Sequence, residues 1–583
     1  MQTLLAQLQQ RFRAAIRIAC NIDADPLLTP AQNEKFGDYQ SNAAMGLAKQ
    51  LGQKPRDVAQ KIVDALEIKD LATEITIAGP GFINVKLSPA WLASLLRQAG
   101  AGQAIAPAPA ERQTVVVDYS GPNIAKQMHV GHLRSTIIGD TIARVIEALG
   151  HTVIRQNHVG DWGTQFGMLI SHLRTAGLQQ VPYGLEAGGP TSINDLEDFY
   201  RQAKKRFDDD LNFQNQARAT VVRLQSGEQA ELEAWRQIVD ETRLHYQPIY
   251  ARLNVKLTQS DERGESFYNP FLAGIVQNLR DKGLAVESQG AVAVFIDGPD
   301  KNPVIVEKTG GGFLYATTDL AALRYRAQEL RADRIIYTHD SRQAQHFDQV
   351  FRIARQAGFV GHSVQLDYAP FGTMLGADGK PFKTRSGDTV KLKDLLDEAH
   401  ERAMAVVEQK NPNLPADQKT DIARAVGIGA VKYADLSKDR ISDYVFDWDK
   451  MLSLDGNTAP YLQYAYARIK SIFRKADASA AAGGGVKDEG AEIRLNSPFE
   501  LSLAKHILQF GEAVESVARE LKPHVLCTSL YELASKFSGF YENCPVLTSE
   551  EPLRSSRLSL CDLAARTMAT GLDLLGIEHP EQM

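Results

Sequence analysis

Two histidines three residues apart, in the tetrad His129-Val130-Gly131-His132, are the pair in this chain best placed to do chemistry. At that spacing both rings project from one face of a helical turn. A helix start offers free backbone N–H groups and the positive end of the helix dipole, and so favours an anion. Two imidazole donors beside it can hold the oxygens of a triphosphate, while Gly131 leaves room for a flat base against the backbone. The chemistry implied is ATP binding. Two plainer readings use the same residues. A His-x-x-His pair can ligate a metal, although neither a CxxC nor a nearby carboxylate cluster accompanies it. The pair can also simply cap and pack the helix start.

The elements around the tetrad must position it. The β-branched run Thr114-Val115-Val116-Val117 predicts a strand that ends at Asp118. Beyond the tetrad, Leu133, Ile137, Ile138, Ile142, Val145, Ile146 and Leu149 recur at helical spacing, and Gly150 is placed to end that helix. Thr152-Val153-Ile154 opens another strand, which completes the βαβ unit of a nucleotide-binding parallel sheet. Asp118 thereby falls at the carboxyl end of its strand, where such sheets bind ligands. Further on, Arg334 to Thr338 reads as a strand, followed by a helix through Phe347, Val350, Phe351 and Ile353. Tyr315 and Asp319, four apart, can share one helix face.

At 583 residues the chain is long enough for several domains. Three parts are expected: residues 1–110, 111–455 and 456–583. The first contains a strand-turn-strand pattern from Glu74 to Leu87, and a linker of small residues and proline, Gly100 to Ala110, closes it. The second carries the nucleotide-binding unit, with charged helical segments at about 179–303 that look like an insertion. The third is helical, interrupted by an Ala/Gly-rich tract, Ala476 to Ala491, expected to be a surface loop. No apolar run reaches the ~20 residues of a membrane span, and Met1-Gln2-Thr3-Leu4 opens no signal peptide. Cys20, Cys527, Cys544 and Cys561 lack metal-site spacing and read as free thiols of a cytoplasmic protein. A net charge of −6 does not exclude a nucleic-acid partner, since phosphate binding needs a local basic surface and not a basic total.

The tetrad resembles the signature of class I aminoacyl-tRNA synthetases. The longer block from Asp118 resembles the arginyl subgroup of bacterial type, in which Ser-Pro-Asn-Ile-Ala-Lys follows the strand. Here it reads Ser120-Gly121-Pro122-Asn123-Ile124-Ala125-Lys126, with Gly121 where the family usually has serine. The resemblance runs from Phe36 to Met583. It implies an α/β multidomain fold: a Rossmann-type parallel-sheet catalytic domain with an insertion, a small α+β N-terminal domain that binds the tRNA elbow, and an all-α C-terminal domain that binds the anticodon. The implied activity is ligation of L-arginine to tRNA(Arg) with ATP, through arginyl-adenylate, with release of pyrophosphate and AMP. The family generally needs bound tRNA for the first step. Mg²⁺ would accompany ATP, no zinc is expected, and the family is commonly monomeric.

The resemblance also assigns residues. His129, Gly131, His132 and Lys126 would bind ATP. So would Lys380, Lys383 and Arg385 of the loop Gly376 to Gly387, which stands where other class I enzymes carry Lys-Met-Ser-Lys-Ser. Of these, His129, His132, Lys126 and Lys383 would be catalytic. Asp118, Ser120, Asn123, His132, Tyr315, Asp319 and Gln343 would surround the amino acid. A guanidinium is a planar charged fork best held by carboxylates and neutral acceptors, which suits this set. Phe82 and Asn84 would contact an unpaired tRNA base, and Tyr461, Tyr541 and the terminal Met583 the anticodon. Tyr464 and Tyr466 suit a helical core equally well.

Rival classes fit less of the chain. A small nucleotidyltransferase with the same tetrad would not need the flanking domains. A non-catalytic RNA-binding relative would not need the tetrad, Lys126, Asp118 and Asp319 together. A synthetase for another amino acid, such as cysteine, would want zinc-ligand cysteines near the site.

Overall fold

Four short strands, β1 (Leu28–Pro30), β2 (Tyr39–Ser41), β3 (Ala72–Ala78) and β4 (Phe82–Leu87), pair antiparallel in the order β1-β2-β4-β3. The hairpin β3–β4 turns at Gly79-Pro80-Gly81, and Ile83, Val85 and Leu87 alternate inward as the period of a half-buried strand requires. This sheet belongs to one of the chain's two compact units, which comprises Met1–Ala110, Leu454–Asp573 and His579–Met583. The other comprises Glu111–Ser453 and Leu574–Glu578. The computed structural model describes residues 2–31, 33–100, 111–124, 126–175, 193–309, 311–383, 390–481 and 492–583.

In the second unit a parallel sheet runs in the order β11-β10-β5-β6, built from β5 (Thr114–Asp118), β6 (Thr152–Gln156), β10 (Arg334–Tyr337) and β11 (Gln365–Tyr368). Its register sets Asp118 beside both Tyr337 and Gln156, so the carboxyl ends line up along one edge. Val116, Ile335, Leu320, Leu323, Phe347 and Ile353 share the buried core beneath that edge. Each such side chain contributes roughly 1.5–3 kcal/mol by leaving water. The helix Val130–Ala148 crosses between β5 and β6. It packs so closely that a Cβ on Gly139 would stand 2.2 Å from the Cβ of Tyr119, which leaves room only for glycine. Between the halves of the sheet lie the helices Ile193–Asp209, Leu211–Gln225 and Gln229–Arg252, then an antiparallel sheet of β7 (Ala285–Ser288), β8 (Ala291–Val294) and β9 (Val304–Glu307). A parallel pair of two-residue strands, β12 (Met374–Leu375) and β13 (Tyr444–Val445), follows.

The first unit also contains the helices Ala459–Ala481, Pro498–Glu520 and His524–Asn543, and most of Leu553–Leu574. The first of these departs from the sequence expectation. Residues 476–481 continue the helix instead of opening a loop, because alanine is the strongest helix former. The rest of that tract, 482–491, lies outside the described residues.

Within this unit Glu512 joins three elements. Its Oε1 accepts hydrogen bonds from the backbone N–H of Leu5 at 2.9 Å and from the hydroxyl of fully buried Tyr39 at 2.7 Å. Replacement by an apolar side chain leaves both donors without an acceptor. Glu512→Leu is therefore expected to cost about 2–3 kcal/mol, read as an earlier first transition in urea with later transitions unchanged.

Candidate active site

The helix Val130–Ala148 begins in a reciprocal cap made by the tetrad itself. His129 is the N-cap, and its Nδ1 accepts from the backbone N–H of Gly131 at 3.0 Å. The Nδ1 of His132 accepts in turn from the backbone N–H of His129 at 3.2 Å. The rings lie with centroids 4.0 Å apart. Burial, with His129 and Lys126 adding positive charge nearby, lowers His132 to about 3. Burial and Lys126 lower His129 as well. Both rings are therefore neutral at physiological pH, and since each Nδ1 accepts, each remaining proton sits on Nε2. The capping reading and the ligand reading are thus compatible: one nitrogen of each ring holds the helix start and the other is a donor.

Beside this helix start, at the carboxyl ends of β5, β6 and β10, lies a cavity of about 300 Å³. It is lined by Ser120, Asn123, Gly131, Tyr315, Asp319 and Gln343 of the residues expected, and also by His158, Glu265, His339 and His346. Ser120 adopts φ +76°, an uncommon conformation for a residue with a Cβ, and its N–H donates to Ser135 Oγ at 2.9 Å. Its hydroxyl lies 2.7 Å from that of buried Tyr250. Tyr315, largely exposed, opens the helix Tyr315–Gln328, and Asp319 follows one turn later. The helix Ala344–Gln356 brings His346 to them: its Nε2 donates to Asp319 Oδ2 at 2.6 Å, and its ring centroid is 5.1 Å from that of Tyr315.

The cavity is acidic on one side. Burial, reinforced by Asp161 and Asp319, pushes Glu265 up to about 7. Burial also raises Asp161 to about 6, against the hydrogen bonds it accepts from Ser266. Closely spaced carboxylates with little water resist full ionisation until a cation joins them.

Asp118 does not line this cavity. Its Oδ2 is 2.6 Å from Nη2 of Arg326, and both side chains are buried. Its Oδ1 is 3.5 Å from Nε2 of His339, which does line the cavity. Burial alone would raise the Asp118 carboxyl, but Arg326 and His339 outweigh it and hold it well below the usual range. The carboxylate expected at the charged end of a substrate thus stands one layer behind, because the nearest cation is a buried arginine of its own chain. His132, likewise expected at the amino acid, is half-buried and not among the lining residues.

The basic residues lie at the surface. Lys126 is exposed, with Nζ 5.1 Å above the ring of Tyr200. Lys380 and Lys383 are exposed on the turn that follows β12, and neither lines the cavity. Arg385 lies outside the described residues.

In the other unit Phe82 is half-buried, whereas Asn84 is buried and its Oδ1 accepts from Gln40 at 2.7 Å. That bond forms because Gln40 and Asn84 are register partners on β2 and β4, and it occupies the acceptor edge expected to meet a base. Tyr461 packs near Tyr531, and Tyr541 lies under the guanidinium of Arg468 at 4.6 Å. Met583 is half-buried, two residues past Glu581, whose carboxylate pairs with Lys470 at 2.8 Å. Tyr464 is exposed and Tyr466 is core.

His158 and His339 were missed from the sequence although a signal existed: each lies within two residues of a strand's carboxyl end, the position that also singled out Asp118. Glu265 and His346 carry no such mark.

Comparison with known proteins bears on the whole length of the chain. Three family models match: Arginyl tRNA synthetase N terminal domain over residues 6–87, tRNA synthetases class I (R), catalytic domain over 92–448, and DALR anticodon binding domain over 462–583. The chain is 55% identical to an arginine–tRNA ligase of Cellvibrio japonicus and 52% identical to one of Shigella flexneri, with 99% of each chain covered in both cases. Among solved structures it superposes on the arginyl-tRNA synthetase of Plasmodium falciparum with a TM-score of 0.85 at 30% identity, over 100% of both chains. The Thermus thermophilus arginyl-tRNA synthetase gives 0.83 at 27%, again over 100% of both. With a catalytic-domain match that spans most of its length and close relatives along all of it, this chain belongs to the arginyl-tRNA synthetase family.

Proposed function

We propose that this protein joins L-arginine to the 3′ end of tRNA(Arg) with ATP, and that the cavity beside the histidine-capped helix is where arginine is activated. The observation that carries this reading is the acidic wall, Glu265 with Asp319, facing a helix start built to receive an anion. A guanidinium fits the two carboxylates, and the amino acid's own charged end lies toward Ser120, Asn123 and Gln343. Asp118 acts from behind, its charge 3.5 Å from the ring of His339. Tyr315 closes the exposed side.

In the first step the arginine carboxylate attacks the α-phosphorus of ATP in line, and pyrophosphate leaves. The side chains supply position and charge: Nε2–H of His129 and His132 faces the phosphate oxygens, Gly131 passes close to the base, and Lys126, Lys380, Lys383 and Arg385 draw charge off the departing pyrophosphate. Among the described residues no three His, Cys, Asp or Glu side chains converge into a metal cage. Mg²⁺ would enter with ATP, held chiefly by phosphate oxygens and water. In the second step a terminal ribose hydroxyl of the tRNA attacks the mixed anhydride and AMP leaves. Phe82 and Asn84 would meet the tRNA elbow, with Asn84 using the part of its amide that Gln40 leaves open. Tyr461, Tyr541 and Met583 would meet the anticodon. The protein would act as a cytoplasmic monomer, with the first step dependent on bound tRNA.

The decisive measurement is ATP–pyrophosphate exchange across the proteinogenic amino acids, with and without tRNA. Exchange with arginine, appearing once tRNA is present, is expected. Exchange driven by a different amino acid rejects the reading, and arginine-driven exchange without tRNA rejects only the tRNA requirement.

His132→Asn keeps an acceptor near the position of Nδ1 for the cap but removes the Nε2–H donor. Exchange is expected to fall about 100-fold with the melting temperature little changed. A large thermal destabilisation with normal exchange in the folded fraction would make His132 a cap alone.

Only ionised Glu265 pairs with a guanidinium, so below about 7 a proton competes with arginine. Apparent arginine affinity should fall up to about tenfold per pH unit below that value and level off above it. Calorimetric titration at pH 6 and 8 measures this. Glu265→Gln should weaken binding at pH 8 and flatten the dependence. An unchanged slope in that variant moves the titration to another group.

A further inference from the structure

Arg134, two residues beyond His132, is almost wholly buried and is not among the residues lining the substrate cavity. Its guanidinium is committed to one stretch of chain. Nε pairs with Asp435 Oδ2 at 3.0 Å, Nη1 donates to the carbonyl of Ser442 at 3.1 Å, and Nη2 donates to the carbonyl of Arg440 at 3.2 Å. Its Cζ lies 5.2 Å from the centroid of the Tyr444 ring.

That stretch in turn holds the base of the lysine-bearing loop. The N–H of Gly372 donates to the carbonyl of Arg440 at 2.9 Å, and the N–H of Thr373 to the carboxylate of Asp443. β12 pairs with β13, Met374 beside Tyr444 and Leu375 beside Val445. The N–H of Phe382 returns to the carbonyl of Met374 at 3.0 Å, and its ring packs 4.9 Å from that of Phe446. Past the loop the chain comes back to the helix start, where the N–H of Val130 donates to the carbonyl of Val390 at 3.0 Å and that of Leu392 to the carbonyl of Met128 at 2.9 Å.

We propose that Arg134 is a positioning residue: it locks the base of the loop that carries Lys380 and Lys383 to the helix that carries His129 and His132, so that one side chain fixes the spacing between the two halves of the phosphate site. The proposal rests on the reading that those lysines serve ATP. The chemistry favours arginine here, because a planar fork can address a carboxylate and two carbonyls at once, whereas an ammonium cannot hold that geometry. Misplacing a charge-stabilising group by a fraction of an ångström lowers the rate of the step it serves without touching the other substrate's pocket.

Two variants test it. Arg134→Lys keeps a cation near Asp435 but loses the fork. Asp443→Ala, at an exposed position, frees Thr373 without emptying the interior. Each is expected to lower tRNA-supported ATP–pyrophosphate exchange at saturating substrates about tenfold or more, with arginine affinity within about twofold of the parent. A second readout needs no turnover. The Trp448 ring lies 4.9 Å from that of Phe446, which touches Phe382, so Trp448 emission reports the loop. ATP should change that emission in the parent protein, a change that Trp448→Phe removes, and should change it less in Arg134→Lys. Exchange and emission within about twofold of the parent in both variants overturn the proposal. So does a parallel loss of arginine affinity, exchange and melting temperature, which marks a general structural role. If the parent lacks arginine-dependent exchange, the substrate reading fails while the emission response still decides the role of Arg134.

Discussion

The site depends first on the buried pair of Asp118 and Arg326. Asp118 ends β5 and Arg326 sits near the end of the helix Tyr315–Gln328, whose opening carries Tyr315 and, one turn later, Asp319. The pair, with Oδ2 and Nη2 2.6 Å apart, is joined by Gln156 at the end of β6, which accepts from Nε of Arg326 at 2.7 Å, and by His339 just past β10. One ion pair thus ties three strand ends to the helix that lines the opposite wall. Two buried charges are costly to desolvate, and exchange for apolar residues would not by itself weaken the fold. Removal of one partner would, because the other is left as an uncompensated charge, a penalty of about 3–5 kcal/mol. The pair is better understood as a registry device than as a source of stability: it fixes where the helix lies against the sheet edge.

The same economy appears at the histidine cap. A lysine at either position would bring more charge, but it would carry a compact, strongly hydrated cation into a half-buried helix start and could not accept a backbone N–H. Neutral imidazole does both tasks, acceptor at Nδ1 and donor at Nε2, and burial keeps it neutral. Full positive charge is kept on exposed Lys126, Lys380 and Lys383, where water bears the cost of ionisation until a polyanion arrives.

How much of this was legible in the sequence follows the range of each signal. The strand from Thr114, the helix from Val130 and the strand from Thr152 were readable because their periodicities are local. Tyr315 and Asp319 could be paired because they are one helical turn apart. Asp118 was correctly placed at a strand end, yet its partner was invisible: Arg326 lies far along the chain, and only the fold brings the two together. The occupied edge of Asn84 was hidden for a related reason, since its partner Gln40 is set by sheet register and not by spacing. Glu265 had no signal at all. It opens a four-residue helix with no periodicity, and what makes it distinctive, its burial beside Asp161 and Asp319, is a property of the assembled site. The Ala476 tract misled for the opposite reason: composition was taken as a loop signal where alanine's helix propensity governed residues 476–481.

On the proposed reading, the acidic wall also explains selection among similar substrates. Burial and the neighbouring Asp161 and Asp319 raise Glu265 to about 7, a repulsion that favours a cation in the cavity. A guanidinium relieves it through two parallel donor pairs spread over a plane, reaching Glu265 and Asp319 together. Lysine offers one point charge, which can neutralise one carboxylate but cannot address both with paired donors. A neutral isostere such as citrulline has nearly the right shape and no charge, so it meets the full repulsion. Both analogues are penalised by what they leave unpaired more than by what they fail to fill, and such penalties reach about 10⁴ where shape alone gives about 10². Because the discrimination is carried by half-buried carboxylates and not by pocket volume, a cavity of about 300 Å³ can stay open to solvent at Tyr315 and still be selective.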